Sequence, residues 1–465
     1  MKYLETDKQF YKRALAIALP ITAQSMITIG VNMLDTIMLG TVGETSLSAA
    51  SLGNQFITFF QICCMGIGMG AAVLTARYWG KRDTVSLKKT ITIALRFALI
   101  FAALFTVVNV FFTEGVLRMY SKEAHIISEG VTYLRWSTPT FLLMGLTLVC
   151  TNIMRSFNQV RIPLITSIIA FFINLTANYA FIFGKLGAPK MGTAGAALGT
   201  VIARVFELLI VCGYFFFADK QIGYRIKNLF DRCGDLVKEY IRVGIPVLIS
   251  DGLLGLGNNT LAMIMGHVGA AFVSANAITM ATQQLSTVFI HGLAFAGSIV
   301  TGQTLGEGRK EDAKRQGYTF FWLSLVIGCI AAGVIFLVRT PIISAYKVSP
   351  GTAALTEQLM DAICIIVVFQ ATNSMLTKGV LRGGGDTRFL MVADIIFLWV
   401  VSIPLGALAG LVWHLPPFWI YMFLRVDHII KAIWCLFRLH SMKWIKKIKS
   451  APQTQQPDFI EQYET

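Results

Sequence analysis

Charge is the commodity this sequence is short of. Of 465 residues only 14% are Asp, Glu, Lys or Arg, whereas 55% are hydrophobic and the mean hydropathy is +0.65. A soluble domain carries about 25% charged residues, so the shortage excludes an ordinary soluble enzyme or binding module and points to a chain embedded in a bilayer. Cysteine occurs eight times but without pattern. Cys63, Cys64, Cys150, Cys212, Cys329, Cys364 and Cys435 fall in apolar runs and Cys233 in a polar stretch, which supplies neither metal-ligand spacing nor a disulfide framework. Histidine is scarcer still, and His291 stands alone, against a metal site. No phosphate-binding loop is present. GIGMG at 66–70 lies in an apolar run with no strand before it, and GGGD at 383–386 lacks the Lys and Ser/Thr of such a loop. The glycines read instead as a helix-packing surface and a tight turn. Neither a nucleotide-driven process nor a bound cofactor is expected.

What the chain has is apolar runs. Twelve candidate spans fall at 14–39, 47–76, 90–112, 130–154, 162–184, 192–217, 238–265, 271–304, 316–338, 355–381, 389–411 and 416–437. Each approaches or exceeds the roughly 20 residues that a membrane-crossing helix needs. The second and eighth are overlong, so tilted helices are expected there. The first run follows Lys2, Lys8, Lys12 and Arg13, but it exceeds a signal-peptide core and is echoed later, so it reads as retained. With twelve spans, 28 of the 40 Lys and Arg lie on the side of both termini and 6 on the other. By the positive-inside rule both termini are cytoplasmic, in a multi-pass plasma-membrane protein. The formal net charge of +15 is thereby topological, and no nucleic-acid partner is expected.

The chain is also a repeat. A shift of 226 residues aligns Pro20 with Pro246, Asn32 with Asn258, Gly40 with Gly266, Gly43 with Gly269, Gly66 with Gly292, Thr75 with Thr301 and Gly80 with Gly306. A shift of 227 aligns Arg155 with Arg382. Six spans separate the copies, so the halves are parallel repeats with a site expected between or within them near the midplane. The expected organisation is an N-terminal six-helix lobe at 1–218, a polar linker at 219–237, a C-terminal lobe at 238–440 and a polar cytoplasmic tail at 441–465. The linker reads as an amphipathic surface helix, and the tail as disordered beyond Ser450.

Within the first span, Gln24, Thr28, Asn32 and Asp35 recur at helical spacing and share one face. An acid at membrane depth costs about 2.5–3.5 kcal/mol on insertion scales and usually faces a bundle interior. The stripe is therefore read as a cavity lining, with Asp35 as its proton or sodium site. In the second half the mate of Asp35 is Leu261, and Asp251 stands opposite Ser25. That asymmetry places ion coupling in the first half. Asp251 reads equally as a substrate contact or as polar packing.

Taken in order, Pro20 with Asp35, GIGMGAAVLTARYWGKRD, its counterpart GLAFAGSIVTGQTLGEGRKEDA, Arg155, Asn174 with Asn178, MGTAGAALGT and GVLRGGGDTR resemble the multidrug and toxic compound extrusion (MATE) transporters over about residues 10–440. The resemblance implies an all-α membrane protein whose two six-helix bundles form a V-shaped cavity. It also implies export of cationic amphiphiles in exchange for sodium ions or protons. It makes Asn174 and Asn178, one turn apart on the fifth span, the co-ligands of Asp35, with Asn152 and Thr200 as further candidates; each could equally make a plain interhelical hydrogen bond. Asn373 and Leu254 stand where a sodium-coupled branch carries acids.

Further cavity candidates are Met33, Gln55, Asn258, Asn259 and Gln284, chosen as soft or polar residues at midplane depth, and Pro20 and Pro246 are candidate hinges. Arg204 and Glu207, three apart, read as a local ion pair. Asp394 and Asp427 are intramembrane acids without an assigned role, and Lys378 and Lys431 read as side chains snorkelling to the interface. The partners expected are small cationic or amphiphilic organic compounds and the lipid bilayer, for a monomer. A flippase of lipid-linked sugar precursors, which the parent superfamily also contains, would need several basic residues in the cavity. A membrane-embedded enzyme would need a clustered catalytic constellation, and none is visible.

Overall fold

The computed structural model describes residues 4–121, 123–346 and 348–451; residues 1–3, Lys122, Lys347 and the tail from position 452 lie outside the described residues. Every described element is helical. The first half comprises α1 (Lys8–Gly40), α2 (Glu44–Gly80), α3 (Thr84–Arg118), α4 (Ala124–Trp136), α5 (Pro139–Ser156), α6 (Arg161–Phe183) and α7 (Thr193–Gly213), the last continued by a π-helical turn at Tyr214–Ala218. The second comprises α8 (Gly234–Val268), α9 (Ala270–Gly306), α10 (Lys310–Ala345), α11 (Pro350–Ser374, with a π-helical end at Met375–Leu381), α12 (Thr387–Asp394), α13 (Ile403–Ala407), α14 (Pro417–Leu424) and α15 (Asp427–His440). Among the described residues ten helices are long and apolar enough to cross a membrane, counting as one the run Thr387–Val412 in which π-helical stretches join and extend α12 and α13, and α4 with α5 makes an eleventh span bent by 56°.

The bend breaks the predicted continuous span at 130–154. Pro139 at the start of α5 has no N–H to donate, so the chain turns at Ser137–Thr138. The predicted last span at 416–437 is likewise two helices, α14 and α15, parted at Arg425–Val426. Both α1 and α8 run unbroken through Pro20 and Pro246. The linker is not a surface helix: between the π turn and α8 it holds only a 3₁₀ turn, Ile226–Phe230, anchored by Arg96 donating to the Leu229 carbonyl oxygen.

The repeat is repeated in space. The joints between α1 and α2 and between α8 and α9 are Gly43 and Gly269, with φ of 152° and 157°, a region that only glycine enters freely. A methyl group on Gly66 of α2 would meet Leu248 of α8, and one on Gly292 of α9 would meet Thr22 of α1, which is the mate of Leu248. Gly80 likewise abuts Gln303, and Gly306 abuts Arg77, the mate of Gln303. The lobes thus exchange helix ends. Phe10, Ala14, Ile17 and Ala18 of α1 sit in an apolar core with Leu293, Phe320 and Leu376 of the second half. Their mates on α8, Leu236, Tyr240 and Val243, sit with Ile67, Leu87 and Ile91 of the first.

Two polar latches reinforce this end. Arg77, buried, donates from Nε to the Gly383 carbonyl oxygen at 3.2 Å and from its terminal nitrogens to the carbonyl oxygens of Gly384 and Lys446. Gln303, its mate, accepts from Arg13 and donates to the Ser156 carbonyl oxygen at 2.7 Å. Residues 441–451 are no free tail. Trp444 is fully buried, the Lys446 N–H donates to the Gly384 carbonyl oxygen, and the Ala451 N–H donates to Ser86 Oγ of α3 at 2.8 Å. The segment straps one lobe to the other.

Candidate functional site

With the termini end sealed, a cavity of roughly 1140 Å³ remains in the first half and at its border with α9. Its mouth, on the side away from the termini, is edged by Leu47, Ser48, Tyr120, Ser121 and Ile126, and its floor by Ile21, Arg155, Pro163 and Phe295. Gln24, Thr28, Asn32 and Asp35 all line it, as a polar stripe of α1 with steps of four, four and three must if one member does.

Asp35 accepts a hydrogen bond at 2.6 Å from Nδ2 of Asn178, which also donates to Oδ1 of Asn174 at 3.2 Å. Both amides come from adjacent turns of α6, so one donor group ties the acid of α1 to the two asparagines. Asn178 is fully buried and its Oδ1 has no donor. The close approach of α7 requires Gly199, where a methyl group would overlap the Asn178 side chain. On the cavity wall, then, the Asp35 carboxylate stands with the amide of Asn174, whose oxygen is the kind of hard neutral donor a sodium ion takes beside a carboxylate, while the orphaned Asn178 oxygen packs against Gly199 of α7.

Thr200 lines the same wall, though its hydroxyl donates to the Ala196 carbonyl oxygen of its own helix. Asn152 also faces the cavity, but near the floor beside Arg155 and Met65 rather than beside Asp35. Gln284 is on the wall from α9. Met33, Gln55, Asn258, Asn259 and Asp251 are not on it. Met33 and Gln55 follow wall residues Asn32 and Asn54 by one position, and one helical step turns a side chain about 100° away. Asn258 accepts from Arg425 at 2.9 Å, and Asp251 is held by Arg382 at 3.0 Å.

A MatE family model matches this chain twice, over residues 20–180 and 246–408. The chain belongs to the MatE family. The two matches begin at Pro20 and Pro246, the offset of the repeat. Among the relatives, a probable multidrug resistance protein NorM from Thermotoga maritima is 26% identical over 451 residues, covering 95% of each chain. The multidrug resistance protein PmpM of Pseudomonas aeruginosa is 25% identical, covering 87% of this chain and 85% of that one. Among solved structures, an outward-facing multidrug resistance MATE family transporter of the MOP superfamily superposes with a TM-score of 0.84 at 17% identity, over 94% of this chain and 99% of that one. A MATE in the straight conformation gives 0.85 at 18% identity, over 94% and 100%.

Several charged residues of this MatE protein take places that spacing alone did not reveal. Arg204 pairs with Glu207 at 2.6 Å, the pair their spacing predicts, but both line the cavity, which the spacing does not show. Tyr133 is on the wall, its hydroxyl donating to Asn54 Oδ1 at 2.9 Å; neither residue stood out in the sequence, since both sit in mixed stretches without a stripe. Lys431 does not snorkel. It is 2% exposed and sits between Asp394 at 3.1 Å and Asp427 at 2.8 Å, because two desolvated carboxylates hold the ammonium more strongly than the distant interface does. Ser250 and Ser402 donate to the two acids, completing a closed group away from the cavity wall.

Proposed function

We propose that this protein is a secondary active multidrug exporter, exchanging cationic amphiphilic compounds for protons or sodium ions by alternating access, with Asp35 as the coupling group. The observation that carries the reading is one acid, tethered to two buried amides, on the wall of a large polar cavity open at one end and sealed at the other. With both termini cytoplasmic, the open mouth faces outward. From there an ion reaches Asp35 as substrate leaves. A proton would neutralise the carboxylate, and a sodium ion would draw on Asp35 and the Asn174 amide oxygen. Either changes the charge that a cationic substrate meets on the wall. The names of the relatives point to the same activity. A lipid-linked-sugar flippase is disfavoured, since one of the two arginines on the wall, Arg204, is already neutralised by Glu207.

The test is ethidium counterflow in proteoliposomes under separate sodium and proton gradients. Wild type accumulates ethidium under one gradient or both, and Asp35→Asn under neither. A mutant that couples normally refutes the assignment, and loss with Asp251→Asn alone would move coupling to the second lobe.

A further inference from the structure

On the cavity floor the repeat breaks down in a way that leaves a charge uncompensated. In the second lobe Arg382 binds Asp251 through both terminal nitrogens, at 3.0 and 3.3 Å. In the first lobe the mate of Arg382 is Arg155, and the mate of Asp251 is Ser25, which has no charge to give. Among the described residues no carboxylate lies within ion-pair distance of Arg155. Its guanidinium, with the residue only 8% exposed, is met by the Gln24 amide oxygen, by Asn152 Oδ1 at 3.5 Å and by the Phe295 ring, 5.4 Å from the ring centroid. Its Nε is buried with no acceptor. A guanidinium offers five N–H donors in a planar fork; here one good bond and one overlong contact use them. A buried charge held this way is costly unless an anion completes it, and Arg155 and Ser25 both line the cavity.

We propose that Arg155 is an anion subsite of the transport cavity, the group that takes the carboxylate of an amphiphilic substrate. The fork and a carboxylate match in two parallel hydrogen bonds, and Phe295 supplies an aromatic face beside them. The partner of Arg155, Gln24, is eleven residues from Asp35, about 16 Å along α1. The two charges therefore do not neutralise one another, and an elongated zwitterion can use both ends of the stripe. This inference rests on the exporter reading.

The test compares tetramethylrhodamine, which carries a free carboxylate, with its methyl ester, which does not, by fluorescence polarisation on the full-length protein in nanodiscs of phosphatidylcholine. Wild type is expected to bind the carboxylate dye tenfold or more tighter than the ester, the equivalent of one desolvated ion pair. Arg155→Gln should bring the two affinities within about twofold of each other, and Arg155→Lys should keep part of the preference, since it retains charge without the fork. Ser25→Asp leaves Arg155 in place but installs the acid the other lobe carries, and should also erase the preference. Equal preference in wild type and Arg155→Gln overturns the proposal, as does parallel loss of both dyes in Arg155→Gln, which would make Arg155 a structural brace. A wild type that binds only the ester overturns this inference and leaves the exporter reading standing. One that binds neither dye overturns both.

Discussion

Replacing Arg77 by alanine should open the sealed end of the molecule. Arg77 donates three hydrogen bonds across the lobes, to the carbonyl oxygens of Gly383, Gly384 and Lys446, from a site only 7% exposed. A bond from a charged donor contributes about 1.5–3 kcal/mol, so three set an upper bound near 5–9 kcal/mol. Water entering the alanine site recovers part of this, and about 2–4 kcal/mol is a reasonable remainder. The loss is selective, because the three carbonyls are orphaned only while the lobes are closed and become hydrated once they part. The equilibrium should move toward the state open at the termini end by roughly 30- to 700-fold. Ala18, 5% exposed where α1 crosses α9, reports the change. With the eight native cysteines replaced, Ala18→Cys should react with an impermeant maleimide from the termini side at least ten times faster in Arg77→Ala than in the parent, while Ser48→Cys at the opposite mouth reacts more slowly. Arg77→Lys, with one point donor in place of a fork, should fall between. Unchanged rates at both cysteines would refute the idea that this latch holds the closed end.

Three other perturbations address separate parts of the structure. Asn178→Leu removes the amide that holds Asp35 beside Asn174, and should raise the sodium concentration giving half-maximal ethidium efflux about tenfold, roughly 1.4 kcal/mol; an unchanged midpoint would sink the shared site. Gly306→Val places a side chain against the Arg77 carbonyl oxygen and should mimic Arg77→Ala in the maleimide assay, whereas a valine that leaves the Ala18→Cys rate untouched would mean the crossing is not close in solution. Lys431→Met leaves Asp394 and Asp427 buried without their cation, which costs about 3–5 kcal/mol, so thermal unfolding in detergent should begin at visibly lower temperature; an equal midpoint would show that the triad is not closed.

The helical frame was legible because its signals are local. Long apolar runs end at Gly and charged clusters, and the duplicated Pro20/Pro246 and Gly43/Gly269 exposed the repeat without any contact being known. The stripe on α1 was legible for the same reason: steps of three and four residues put side chains on one face whatever the rest of the fold does. What stayed hidden depends on partners far away in sequence. Arg77 reads as an ordinary basic residue at a helix end until a turn some 300 positions later is found to lie against it. Trp444 and Ala451 belong to a polar, basic stretch that reads as tail, and only the groove between Gly384 and Ser86 gives it a place. Lys431 looked like a snorkelling residue because composition reports depth but not which neighbouring helices carry acids. Met33 and Gln55 failed as wall residues for a simpler reason: polarity or softness was used to choose them, without requiring that they share the face of Asn32 and Asn54.

The comparison of the halves bears on how a duplicated scaffold acquires a directional task. Helix joints, crossing glycines and exchanged helix ends are the same in both lobes, so the scaffold is common property. The charges are not. The second lobe holds its buried acids in closed groups off the cavity wall, Asp251 with Arg382, and Asp394 and Asp427 about Lys431, while Arg425 meets only the neutral Asn258 and Met280. The first lobe keeps one acid, Asp35, where the second has Leu261, and lacks an acid at Ser25, where the second has Asp251. The outcome is an acid toward the mouth and an uncompensated base on the floor, both on the wall of one cavity. Charges paired off as in the second lobe brace a structure; charges left apart in a cavity can be completed only by something that enters it. On that ground we propose the first lobe as the place where ion and substrate act.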